Sequence, residues 1–146
     1  MSRVQLALNV RDLDEAVAFY STLFQAQPAK LRLGYANFAL AEPPLKLVLF
    51  ENSQAPGTLN HLGVEVDSTE EVVGATRRLA DAGLPTEGEA GVTCCHAVQD
   101  KVWVSGLDTR WEFYTVLADA PATGSPTESQ CCGAEAAGDG GVCCSS

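Results

Sequence analysis

No apolar run in this sequence approaches the ~18 residues that a membrane-spanning helix needs. Positive charge is scarce too: Lys and Arg number 9 against 19 Asp and Glu, for a net charge of −10. Nucleic acids and anionic membranes are bound through basic faces, so this balance argues against both as partners. The opening MSRVQLALNV lacks the unbroken apolar core of a signal peptide, because Gln5 and Asn9 interrupt it, and it reads as a strand. The expected compartment is the cytoplasm. Isolated cysteines are missing as well. All 6 cysteines fall in adjacent pairs, Cys94–Cys95, Cys131–Cys132 and Cys143–Cys144. A disulfide framework would scatter its cysteines through the core. Paired thiols in a reducing compartment suit a soft metal or metalloid.

The last part of the chain lacks a core. From about Asp119 it reads DAPATGSPTESQCCGAEAAGDGGVCCSS, without Phe, Trp, Tyr, Leu or Ile. Such a segment buries too little apolar surface to offset the entropy of ordering, so residues 119–146 are expected to be a disordered, cysteine-containing tail. The rest of the 146 residues, with 46% of the whole chain hydrophobic, suffices for one domain spanning 1–118.

That domain repeats itself. VQLALNVRDLDEAVAFYSTLF and LNHLGVEVDSTEEVVGATRRLADAG each read as a strand followed by a helix. In the first, Val4, Leu6, Leu8 and Val10 alternate with Gln5, Ala7 and Asn9, the period of a half-buried strand. Asp12 with Glu15 three later forms a capping-box pattern, and Leu13, Ala16, Val17, Tyr20 and Phe24 share one helical face. In the second, Ser68 and Glu71 repeat the cap, Val72, Ala75, Leu79 and Ala82 the stripe, and Gly83 and Pro85 end the helix. Strand-like pieces follow at about 29–33, 35–41 and 45–50, and again at about 86–89, 96–105 and 111–117. The chain is thus α+β, two βαβββ modules at about 1–53 and 58–118.

Two such modules resemble the vicinal oxygen chelate superfamily of glyoxalases, extradiol dioxygenases and bleomycin-resistance proteins. The resemblance implies curved sheets around a divalent metal, with ligands on the first and last strands of each module. Overlaying the halves sets Gln5 on His61, and Lys46 in PLKLVLF on Glu112 in RWEFYTV. Three of the four equivalent positions therefore offer a ligand: Gln5, His61 and Glu112. Amide oxygen, imidazole and carboxylate suit Fe(II) or Mn(II). Lys46, cationic, departs from a four-ligand glyoxalase and is expected either exposed or countering a Glu. Taken singly, a strand histidine is usually a hydrogen-bonded polar group and a strand glutamate a solvated one. Their matched places in the repeat favour the metal.

A narrower resemblance covers residues 1 to about 119, through MSRVQLALNV, GYANFALAEPPLKLVLFEN, TLNHLGVEV, TCCHAVQDKVWV and WEFYTVLAD. These runs are similar to the C–As lyase and cadmium-induced protein subfamily. The resemblance implies a non-haem Fe(II) dioxygenase that uses O₂ to demethylate or dearylate trivalent organoarsenicals. It places the metal on Gln5, His61 and Glu112 and the arsenic on Cys94 and Cys95. The tail pairs Cys131–Cys132 and Cys143–Cys144 are typical in kind but not in position.

Adjacent cysteines bring two sulfurs to one atom only where the backbone bends, since neighbours on a strand point to opposite faces. Gly88 and Gly91 in EGEAGVTCC make a mobile loop the expectation there. His96 is read as an exposed polar residue opening a strand rather than a base for a thiol. Asp100 and Lys101 are expected to pair with each other or to contact that loop. Asn9, Asn37 and Asn60 read as turn or strand-end hydrogen-bonders. Phe38, Trp103, Trp111, Phe113 and Tyr114 read as core, with Tyr35 and Tyr114 as secondary pocket-wall candidates. A thiol-based protein that sequesters arsenite or Cd(II) without turnover is the competing function. A glyoxalase-like enzyme is disfavoured by Lys46 and by leaving the thiols without a role.

Overall fold

The structure, a computed structural model, describes residues 1–120. The tail expectation, with Cys131, Cys132, Cys143 and Cys144, lies outside the described residues apart from Asp119 and Ala120. The described chain divides into two compact units: Arg3–Leu62, and Gly63 onward together with Met1–Ser2.

The first unit holds β1 (Arg3–Val10), α1 (Leu13–Phe24), β2 (Lys30–Arg32), β3 (Tyr35–Leu40) and β4 (Leu45–Glu51). Its strands lie in the order β2-β3-β4-β1, with β1 parallel to β4 and the other pairs antiparallel. The parallel register sets Gln5 beside Lys46 and Asn9 beside Phe50. Leu6, Leu8 and Val10 pack with Leu13, Ala16, Val17, Tyr20 and Phe24 of α1 against Phe38, Leu40, Leu47 and Leu49. The opposite face of β1, carrying Gln5, Ala7 and Asn9, is nevertheless the more deeply buried one. The alternation marked two faces correctly, but the polar face is the drier.

The cap of α1 is as the sequence implies. Asp12 Oδ1 accepts the Glu15 N–H at 2.9 Å. Glu51, at the end of β4, adds a second cap, its Oε2 accepting the Leu13 N–H at 2.8 Å. One helix start is thereby tied to the strand that pairs with β1. Gln25 ends the helix in the left-handed region at φ 51.

The second module opens with β5 (Leu59–Glu65), which runs from the first unit into the second, and continues with α2 (Thr69–Asp81), β6 (Thr86–Cys94), β7 (Ala97–Gly106) and β8 (Thr109–Asp119). Its order, β6-β7-β8-β5, repeats that of the first module. Ser68 caps α2 through the Glu71 N–H. At the other end the Gly83 N–H donates to Ala80 O at 2.9 Å and the Leu84 N–H to Leu79 O at 3.1 Å, with Gly83 at φ 78. That double bond is the Schellman ending, and the positive φ is why glycine stands there. Val72, Ala75 and Leu79 pack on Val102 with Val66, Val104 and Phe113 around them.

Two boundaries differ from expectation. β6 runs on to Cys94 instead of stopping near Glu89, and β7 starts at Ala97, leaving His96 outside it. Among the described residues no helix is long and apolar enough to cross a membrane.

The double cap on α1 makes a direct prediction. Asp12→Ala should cost about 1 kcal/mol, and Glu51→Ala about 1.5 kcal/mol or more, because its partner is bound by a charged acceptor. Urea denaturation should show lower midpoints at unchanged slope for both. Coincident curves for parent and Glu51→Ala would remove the second cap.

Candidate metal and thiol sites

In the first unit, Gln5 on β1 and His61 on β5 face each other in the interior. The two Nε2 atoms are 3.0 Å apart, and His61 is 2% exposed. The other ring nitrogen, Nδ1, lies 2.7 Å from Asn60 Oδ1. Phe50 stands beside the imidazole, ring centroids 6.3 Å apart. Lys46, Gln5's neighbour in the register, is buried rather than exposed. Asn37 donates from Nδ2 to the Tyr35 hydroxyl at 2.8 Å, as befits a hydrogen-bonder rather than a catalytic group.

In the second unit Glu112 on β8 is 3% exposed, far from the solvated strand residue its type alone suggests. Its Oε2 accepts from Lys101 Nζ on β7 at 3.1 Å, and Lys101 is itself buried. The ammonium also lies 5.2 Å from the centroid of the Trp103 ring, with the Arg110 guanidinium 4.3 Å from the same ring. Lys101 thus pairs with Glu112 and not with Asp100, because neighbours on a strand point to opposite faces. Asp100 turns the other way. Its Oδ2 accepts from Thr69 Oγ1 at 2.6 Å and its Oδ1 from the Gly91 N–H at 2.7 Å, so it does hold the segment leading to the cysteines. Phe38, Trp103 and Tyr114 are fully buried core, whereas Trp111 and Phe113 are half-buried.

The cysteine pair sits at the end of a hairpin, not in a loop. Cys94 pairs with Ala97, and the two residues between them, Cys95 and His96, have φ of 50 and 65. Two left-handed residues joining antiparallel strands make a type I′ turn, a conformation that normally selects Asn-Gly. Here two residues with β-carbons occupy it. The turn swings Cys95 off the strand direction, and the sulfurs meet at 3.1 Å, with the Cys95 thiol donating to the Cys94 sulfur. Cys95 is free and partly exposed; Cys94 is deeply buried and disulfide-bonded. The tip is held at its base: the Ala120 N–H donates to His96 O at 3.1 Å.

Thiols and carboxylate share one sheet at different levels. Cys94 is opposite Ala97, and Glu112 is opposite Trp103. The interval 103 − 97 is six residues, about 20 Å along β7 at ~3.3 Å per residue. Between these levels the register shifts on both sides of β7, at Glu89/Val92 and at Val98/Gln99, and Gly91 has φ 61. Bulges bend and twist a strand locally, so the hairpin end departs from the line of the sheet below it.

The donors fit a borderline divalent metal. An imidazole whose second nitrogen is hydrogen-bonded, a carboxamide and a carboxylate are nitrogen and oxygen ligands of the kind that Fe(II) and Mn(II) take. Among the described residues no three His, Cys, Asp or Glu side chains cluster to hold a metal.

Comparison with known proteins agrees with this fold. Residues 3–115 match the Glyoxalase/Bleomycin resistance protein/Dioxygenase superfamily, and the chain belongs to that family. It is 64% identical to the cadmium-induced protein CadI of Mycobacterium tuberculosis, over 86% of this chain and 83% of that one. It is 52% identical to a trivalent organoarsenical cleaving enzyme of Thermomonospora curvata, over 99% of this chain and 100% of that one. Among solved structures it resembles the Mn(II)-bound glyoxalase from Novosphingobium aromaticivorans, with a TM-score of 0.59 and 18% identity over 87% of this chain and 44% of that one, a likeness of fold.

The buried Lys101–Glu112 pair predicts a large asymmetry between single and double substitutions. Lys101→Met should destabilise the metal-free protein by about 3–5 kcal/mol, because it leaves a carboxylate buried without its partner. The double variant Lys101→Met/Glu112→Gln should recover most of that loss in a thermal melt. Equal stability of the single and double variants would show that the two groups are not coupled.

Proposed function

We propose that the protein is an Fe(II)-dependent dioxygenase that cleaves the carbon–arsenic bond of trivalent organoarsenicals, methyl and aryl arsenites alike, and releases arsenite. The observation that carries this reading is the 3.1 Å approach of the Cys94 and Cys95 sulfurs across the turn. Trivalent arsenic is soft and prefers thiolate to oxygen. An arsenite with one organic group has two exchangeable positions, and two sulfurs close enough for one atom to bridge are the matching number. With both cysteines present as thiols, loading exchanges two As–OH groups for two As–S bonds, and the two thiol protons leave with the hydroxyls as two waters. The full-length likeness to a trivalent organoarsenical cleaving enzyme supports arsenic over other soft partners.

In this reading Gln5, His61 and Glu112 hold the metal. Iron(II), when bound, supplies the binding and activation of O₂. His61 offers Nε2, and Gln5 offers its amide oxygen by turning its terminal carboxamide. Glu112 offers a carboxylate oxygen, while Lys101 stays beside it as a fixed cation. Overall, methylarsenite and O₂ give formaldehyde and arsenite, with every atom accounted for and no external reductant. The cysteines present the As–C bond, and the bulged, Gly91-containing hairpin is the part that bends to bring it toward the metal. Asp100 holds the base of that hairpin through Gly91 while the end moves.

The likeness to a cadmium-induced protein and the same sulfur pair favour a second reading, sequestration without turnover. Formaldehyde and arsenite appearing only with both iron and O₂ separates the two.

The test uses the full chain with Cys131, Cys132, Cys143 and Cys144 changed to Ser, kept reduced. His61→Ala and Glu112→Ala should each abolish turnover and iron retention after desalting, with Gln5→Ala milder. Cys94→Ser and Cys95→Ser should each lose methylarsenite binding, followed by tryptophan fluorescence or adduct mass, and keep iron. Cysteine variants that bind and turn over like the parent would sink the thiol site. Unchanged iron in His61→Ala would sink the metal site.

A further inference from the structure

The first unit contains a hydrogen-bond chain that the reaction does not by itself require. It starts in the linker between the modules. Thr58 Oγ1 donates to Ala55 O at 2.6 Å. Asn9 Nδ2 donates to Thr58 Oγ1 at 3.0 Å. Asn60 Nδ2 donates to Asn9 Oδ1 at 3.1 Å. Asn60 Oδ1 then faces His61 Nδ1 at 2.7 Å.

Each carboxamide in such a chain is by itself reversible end for end, since O and N are nearly alike in shape. The chain as a whole is not, because its first member is a backbone carbonyl, which only accepts. Thr58 must therefore spend its single proton on Ala55 and accept from Asn9. Asn9 must present its NH₂ to Thr58 and its oxygen to Asn60. Asn60 in turn has only an oxygen left for His61. A carboxamide oxygen cannot donate, so the proton lies on His61 Nδ1. Nε2 is then a bare lone pair, and the Gln5 NH₂ donates to it at 3.0 Å. The backbone of Asn9 is anchored on both sides, its N–H donating to Thr58 O at 2.9 Å and its carbonyl accepting the Gly57 N–H at 2.8 Å.

We propose that Asn60, backed by Asn9 and Thr58, is a positioning residue that locks His61 in the Nδ1–H tautomer and so keeps Nε2 open to the metal. This rests on the reading of His61 as a ligand. The linker carbonyl of Ala55 sets the tautomer through four hydrogen bonds in series. Without Asn60 the Nδ1 proton loses its acceptor, and the Nε2–H tautomer, which places a proton where the metal would bind, gains ground because the Gln5 carboxamide can turn to accept from it. Metal-bound histidines depend on such partners, and losing one typically weakens binding roughly ten- to hundred-fold.

The experiment uses the full-length, reduced, metal-free protein with ¹⁵N-labelled histidine. The sequence has 2 histidines, so a His96→Ala sample assigns the signals of His61. Long-range ¹H–¹⁵N correlation should find His61 protonated at Nδ1 in the parent. Co(II) titration, read by absorbance, gives metal affinity in parallel. Asn60→Leu should shift His61 toward Nε2–H and weaken Co(II) roughly ten- to hundred-fold. Asn60→Asp, which keeps an acceptor for Nδ1–H, should retain both properties. Thr58→Val, distant from the ring, should mix the tautomers by freeing the Asn9 amide to turn, and it serves if Asn60→Leu folds poorly in a thermal melt. An Nε2–H tautomer in the parent, or Asn60→Leu with unchanged tautomer and affinity, overturns the proposal. His61→Ala separates the two kinds of failure. If it binds Co(II) as the parent does, the ligand reading falls and the proposal with it. If it loses Co(II) while Asn60→Leu does not, only the positioning role falls.

Discussion

Polar side chains shielded from water must be answered by other polar groups, at a cost of about 1–3 kcal/mol for each one left unmet. The first unit is arranged around that constraint. Gln5, Asn9 and His61 occupy positions where a stable but inert sheet would carry aliphatic residues. Because they are there, the β1–β5 contact is a set of hydrogen bonds with fixed donors and acceptors, and it has one arrangement where an apolar contact has many. The second unit meets the same constraint with charge, burying Glu112 only beside Lys101. Pairs of this kind add little net stability compared with apolar residues, but they tolerate no loss of one partner. Both units hold ligand-type atoms in a dry setting without leaving them unanswered.

Within the second unit the hard and soft donors are kept apart. Nitrogen and oxygen donors stand on strand interiors, whereas sulfur stands at the end of a hairpin, on backbone in a sparsely populated conformation. Strain of that kind persists where surrounding structure over-determines it. Here the β6–β7 ladder on one side of the turn and the His96–Ala120 hydrogen bond on the other do so. The Glu112 carboxylate and the two sulfurs are thereby held at different levels of one sheet, with the register shifts of β7 between them.

The sequence was most legible where a rule acts over a few neighbours. Asp12 and Ser68 cap their helices, Gly83 ends α2, and the internal repeat pointed to Gln5 and His61, which the structure sets 3.0 Å apart. It was less legible where pairing joins distant positions. The partner of Lys101 depends on a hairpin register eleven residues long, 112 − 101, and no spacing rule selects Glu112 over its neighbour Asp100. Asn9 and Asn60 read as ordinary strand-end residues because their role arises from a linker carbonyl that sequence pattern does not reveal. The alternation along β1 told which residues share a face, but not which face is drier. The cysteine turn was misread as a mobile loop because Gly88 and Gly91 advertise flexibility, whereas Cys-His gives no sign of a type I′ turn.

The hydrogen bond from Ala120 to His96 has a further consequence. It fixes where the chain leaves the described fold: at the turn that carries Cys95. A hydrogen-bonded amide exchanges its proton with solvent only when the bond opens, so deuterium uptake at Ala120 is a direct reading of how often the turn beneath Cys95 lets go.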